Sequence, residues 1–217
     1  MAFDVSPPRD CGQCPRLAEF RAANRERHPD FANAPVDTFG RSDARLLIVG
    51  LAPGLKGANR TGRPFTGDYA GDLLYATLGE LGLAQGAYDR RPDDGLELVD
   101  CAIVNAVRCV PPENKPTPAE IANCRAYLRL TLERLTQLKV VVALGRIAHE
   151  SLLRAFNLRI AAHPFAHGAR HDLGEGKPKL FDSYHCSRYN TNTGVLTPAM
   201  FHDVLRAARD WAASTPA

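Results

Sequence analysis

Four short apolar runs restrict this chain more than any other feature. They are Leu46-Leu47-Ile48-Val49, the stretch LVDCAIVNAV over 98–107, KVVVAL over 139–144 and LFDSYH over 180–185. Each is too short for a buried helix and reads as a strand with both faces covered. We expect strands over 45–52, 98–107, 139–144 and 180–185. Helical signals lie between and after them. Leu73, Leu74, Leu78 and Leu81 recur at helical spacing over 68–83. Thr117-Pro118-Ala119-Glu120 is a capping box with proline at the first helical position, opening a helix to about residue 138. Residues 145–156 form a further helix, and Thr197-Pro198 opens one to about residue 212. Residues 16–28 offer one more before the first strand. Strands alternating with helices imply a parallel sheet covered on both faces. The expected fold is therefore α/β: one domain over 1–217, a three-layer α/β/α sandwich with a central four-stranded mainly parallel sheet.

In such a fold ligands bind beyond the carboxyl ends of the strands. Three distant segments reach that edge. The first is the loop GLAPGLKGANRTGRPFTGDYAG over 50–71, with six glycines and two prolines. It lacks the Gly-Lys-Ser/Thr ending of a phosphate loop, and Gly50 and Gly54 do not make the G-x-G-x-x-G of a dinucleotide fold. Its Phe65-Thr66-Gly67-Asp68 places a ring, a hydroxyl and a carboxylate side by side, which speaks for a working loop over a plain surface connection. The second is Asn105, near the end of its strand. The third is His185, followed by a polar loop, a candidate electrophile or acid against the plainer reading of a packed histidine.

Charge and composition are ordinary. The net charge is +3 with a pI of about 8.6, compatible with a nucleic-acid partner without demanding one. The N-terminus has no secretory apolar core and no run is long enough to span a membrane, so a cytoplasmic location is expected. Six cysteines in a reducing compartment speak for metal or free thiols rather than disulfides. Cys11-x-x-Cys14 has metal-ligand spacing, with no second such pair to complete a zinc ribbon. Cys109 and Cys124 flank a proline-rich loop; with the first pair they could hold a [4Fe–4S] cluster or a structural zinc. Cys101 reads as a core residue. His149 reads as structural, and His163, His167 and His171 lie in a stretch broken by Pro164 and Gly168 that does not suit a helical metal site.

Taken together, these motifs resemble the uracil-DNA glycosylase superfamily, in its iron–sulfur branch and most closely family 5. The loop 50–71 is similar to the family's first motif. Cys11, Cys14, Cys109 and Cys124 match its cluster ligands in order, and His185-Cys186-Ser187 stands where the family has His-Pro-Ser or similar, with Cys186 replacing proline. The resemblance covers about residues 8–212. It implies a structural [4Fe–4S] cluster and hydrolysis of the N-glycosidic bond of uracil in DNA, the first step of base excision repair, with hypoxanthine and other deaminated bases as further substrates. Phe65 would stack on the extruded base, Asn105 bond its edge and His185 face the base oxygen where charge develops. Gly50 and Ala52 would line the base site. Other branches carry an acid just after the first glycine; Leu51 and Ala52 stand there instead, a trait of family 5, and Asp68 is assigned water positioning or cation stabilisation. Arg60, Arg63, Ser187 and Arg188 are the expected DNA contacts. A monomer associated with the nucleoid through DNA is expected. The alternatives are a non-catalytic iron–sulfur DNA-binding module of the same fold, and a small-molecule hydrolase or nucleotide-binding enzyme using the glycine-rich loop.

Overall fold

The computed structural model describes residues 5–214. Short strand β1 (Phe39–Gly40) precedes β2 (Leu46–Gly50); β5 (Cys101–Asn105), β6 (Val140–Leu144) and β8 (Lys179–Ser183) follow, with a short β7 (Arg170–His171) before the last. Together they form one sheet in the order β1-β5-β2-β6-β8-β7. The inner four strands are parallel, and the two-residue edge strands are antiparallel. The expected four-stranded parallel core is therefore present, with an antiparallel strand added at each edge. Two residues give too little periodicity to be read from sequence.

Helices cover both faces. α3 (Tyr69–Glu80) and α7 (Pro198–Ser214) pack on one, α4 (Pro118–Arg134) and α5 (Arg146–Ala155) on the other. Side chains alternate along each strand, as a pleated sheet requires. Leu46, Ile48, Ile103 and Val142 meet Leu74, Leu78, Phe201 and Leu205. Leu47, Val49, Val104 and Val141 meet Leu128, Leu152 and Leu153. Truncating one such residue, Leu128→Ala for example, costs about 2–5 kcal/mol. The capping box forms as expected: Thr117 accepts from the Glu120 N–H, and Glu120 reaches back to the Thr117 N–H.

Several boundaries differ from expectation. The run 98–107 is broken at Asp100, whose φ is +52°. Before the break, β4 (Glu97–Leu98) pairs with β3 (Ala84–Gln85) in a separate two-stranded sheet. Only β5 enters the main sheet, and the Asp100 carboxylate is held by Arg45. α1 (Pro15–Arg27) forms at the N-terminal side, and short helices α2 (Ala58–Thr61) and α6 (Arg188–Asn192) lie inside stretches read as loop. His171 of the irregular stretch joins His149 of α5 in a buried network: His149 Nδ1 and His171 Nε2 lie 2.8 and 2.9 Å from the two Asp182 oxygens, and His149 Nε2 lies 2.8 Å from the His163 carbonyl. Among the described residues, no helix is long and apolar enough to cross a membrane.

Candidate active site

The parallel register sets Gly50 directly opposite Asn105 at the carboxyl ends of β2 and β5. Gly50 is required there, because a Cβ would collide with Asn105 Oδ1 and come within 2.5 Å of Phe65 Cζ. The Phe65 ring edge and the Asn105 amide thus close over Gly50. Phe65 is 6% exposed and sits at φ +52°, a left-handed conformation costing an aromatic residue about 1–2 kcal/mol. Its ring stacks with His185, centroids 5.8 Å apart and planes inclined by 28°. His185 lies two residues past β8, against Gly145 at the end of β6. Loops from all four parallel strands therefore meet at this edge.

The polar groups here are short of partners. The Asn105 side chain is 3% exposed and makes no hydrogen bond among the described residues. The amide is not among the fully enclosed unpaired polar groups of the described residues, so its donor and acceptor keep solvent access and are free to bond an incoming group. The His185 ring is only partly exposed, and its nitrogens bond no described residue. Burial pushes its pKa down to about 4, so it is neutral at pH 7. Asp68 caps α3 by accepting from the Gly71 N–H at 3.2 Å. Its carboxylate lies over Gly54 and Gly57, where added Cβ atoms would meet Oδ2. Burial raises its pKa, opposed by the N–H groups of Gly71 and Ala70. Buried Cys186 reaches back to the Ala70 carbonyl at 3.4 Å, tying the histidine loop to the start of α3.

Of the expected DNA contacts, Arg60 and Arg188 are exposed; Arg188 lies over the Tyr69 ring at 5.3 Å, and Ser187 caps α6. Arg63 is a correction. It is buried, with Nη1 and Nη2 each 2.8 Å from an oxygen of Asp94 and Nε 2.8 Å from Thr66 Oγ1. Three of its five N–H donors are spent in this way, and the buried group is not presented to a phosphate. Ala52 packs against the cysteine-lined core. One residue escaped the sequence reading: Tyr189, 74% exposed beside Arg188. An aromatic residue in the polar loop after His185 was the available signal.

Cys11, Cys14, Cys109 and Cys124 line one cavity with Leu17, Val107 and Tyr127. N–H groups reach three of the sulfurs: Arg21 Nη1 at 3.4 Å from Cys109, the Arg108 amide at 3.3 Å from Cys124 and Asn123 Nδ2 at 3.7 Å from Cys14. Burial raises the thiol pKa of Cys14, Cys124 and Cys109, the last to about 11. Among the described residues, no three of these sulfurs lie within 4.8 Å of one another.

A flat ring, an unpaired amide and a neutral imidazole thus stand together at the carboxyl edge of an α/β/α sheet. The family model described as "Uracil DNA glycosylase superfamily" matches residues 38–209, and the chain belongs to that superfamily. It is 48% identical to the type-5 uracil-DNA glycosylase of Thermus thermophilus, over 92% of each chain. It is 39% identical to the type-5 enzyme of Pyrobaculum aerophilum, over 92% of this chain and 88% of the other. The type-4 uracil-DNA glycosylase of Archaeoglobus fulgidus is 33% identical over 67% of each.

Proposed function

We propose that this protein is a monofunctional DNA glycosylase that hydrolyses the N-glycosidic bond of uracil in DNA. The carrying observation is the buried, unpartnered Asn105 amide beside Phe65 and His185. Breaking the bond requires the nucleotide to leave the stack. Phe65 offers its ring to the extruded base. Asn105 offers one donor and one acceptor to a carbonyl with a neighbouring ring N–H. Hypoxanthine carries the same pair, which supports it as a second substrate. As the bond breaks, negative charge grows on the base and positive charge on the sugar. Neutral His185 donates a hydrogen bond to the base oxygen that gains charge, without itself giving up a proton. Asp68 positions water or faces the cationic sugar. Arg60, Ser187 and Arg188 take the phosphates, and Tyr189 lies beside them to meet the opened stack.

Cys11, Cys14, Cys109 and Cys124 hold a structural [4Fe–4S] cluster in this reading. Four cysteines suit that cluster, and the N–H groups reaching their sulfurs suit thiolates. It binds α1 to the segment after β5. The protein works as a monomer, a single domain acting in the DNA-containing compartment.

The test is base release from oligonucleotides carrying one uracil, one hypoxanthine or only undamaged bases, read as strand cleavage at the abasic site. Release from uracil with Asn105→Ala slowed at least ~10²-fold is expected. DNA binding with no release by cluster-loaded protein would replace this reading with a non-catalytic binding module.

A further inference from the structure

Arg63 is absorbed by neither the base site nor the DNA surface, yet it is among the most elaborately held side chains of the molecule. Its guanidinium lies over the rings of Phe39, Tyr75 and Tyr88 at 5.1, 5.5 and 5.9 Å. Its partner Asp94 has a side chain only 1% exposed. Asp94 is itself fixed from its own segment, accepting from the N–H groups of Asp89 at 2.9 Å and Leu96 at 3.1 Å. A polar, turn-rich stretch with no evident task, residues 86–96, is thus bonded to the loop that carries Phe65.

The backbone around Phe65 is held in the same way. Three successive carbonyls each receive a hydroxyl: Pro64 from Tyr75 at 2.6 Å, Phe65 from Tyr88 at 3.3 Å and Thr66 from Thr61 at 3.1 Å. Tyr88 also accepts from the Gly67 N–H at 3.2 Å. The room for this is made by Gly71, where a Cβ would overlap the Phe65 carbonyl and lie 2.6 Å from the Tyr88 hydroxyl. Phe65 needs such support because its left-handed backbone is one an aromatic residue does not adopt unaided.

We propose that residues 86–96 form a clamp, with Asp94 acting through Arg63 and Tyr88 acting on the backbone at 65–67, and that the clamp sets the height of the Phe65 ring for base capture. Asp94 and Tyr88 are positioning residues on this view. The inference rests on the base-excision reading for its functional consequence, but the clamp itself is a statement about the loop.

Two measurements separate these. Hydrogen exchange of the amides in 63–71 should rise locally in Tyr88→Phe, which keeps the ring and removes the hydroxyl, and further in Asp94→Asn. Unchanged exchange in Tyr88→Phe overturns the clamp whether or not the protein excises bases. Single-turnover uracil release is then read in a double-mutant cycle with Phe65→Ala. Tyr88→Phe should slow release roughly 5- to 30-fold in the native background and less than about 2-fold when Phe65 is already alanine. Equal losses in both backgrounds would leave the clamp a folding device and overturn the positioning role. Release absent from the native protein would remove the excision reading, with the exchange measurement still deciding the clamp. Should Asp94→Asn fail to fold, leaving the Arg63 cation unpaired, Tyr88→Phe carries both measurements.

Discussion

Adding one methyl group at Gly57 should disable this site from a distance. A Cβ there would lie 2.8 Å from Asp68 Cγ and 3.0 Å from its Cβ, and closer still to Oδ2. Ordinary carbon–carbon contact needs at least about 3.5 Å, so the carboxyl group must give way by about 0.7 Å. It cannot do so without loosening its cap on α3, worth about 1 kcal/mol. A displacement approaching 1 Å in a reacting group costs ~10²-fold in rate. Gly57→Ala is therefore expected to slow single-turnover uracil release ~10²-fold while lowering stability by only about 1–2 kcal/mol. Gly79→Ala is the control: it has open space around the new methyl, and it should leave the rate alone and add about 0.5–1 kcal/mol of stability. The assay is quenched-flow or manual quench on a uracil-containing duplex with enzyme in excess, paired with a urea titration. A Gly57→Ala rate within about 3-fold of the native one would refute the role given to Asp68.

Two further outcomes follow from the charges and the cysteines. Burial raises the Asp68 pKa and lowers that of His185 to about 4, so release should fall on the acid side as these groups protonate; the part of that fall due to Asp68 should vanish in Asp68→Asn, and a profile that persists unchanged argues against that carboxylate. Because the folded pKa of His185 lies below its ordinary 6.5, its contribution to stability is complete above about 6.5 and is lost as pH falls toward 4. That amounts to about 1–3 kcal/mol after allowing for the partly exposed ring, measurable by urea titration in His185→Gln. Protein purified without oxygen should carry about four iron and four sulfide per chain. Cys109→Ser should lose both and expose α1 to protease, whereas one zinc per chain would overturn the cluster assignment.

The sequence was most legible where one physical rule acted alone. Four apolar runs flanked by turn residues could only be buried strands, and the Thr117–Glu120 box marked its helix start to the residue. The edge strands β1 and β7 were invisible because two residues carry no period, and Asp100 gave no warning that it would turn left-handed and divide 98–107. In the site, Phe65, Asn105 and His185 come together at the edge that strand order pointed to. Arg63 was misread because an arginine in a glycine-rich loop is usually free, and its acid partner lies thirty-one positions away in a stretch without pattern. Asp68, read from the sequence as a reacting group, also caps α3.

The pairing of Gly50 with Asn105 has a consequence for how this protein tolerates motion. The two sit on one rung of a parallel ladder, about 4.8 Å apart by strand spacing, with Ala106 and Val107 donating back to Gly50 and Leu51 at 2.9 Å. No hinge lies between them. Asn105 and the glycine that makes room beside it therefore travel as one rigid piece with the core, whereas Asp68 and His185 arrive on loops beyond the strand ends. On the proposed roles, selection sits on the sheet and reactivity on the loops, so warming should cost speed before it costs selectivity.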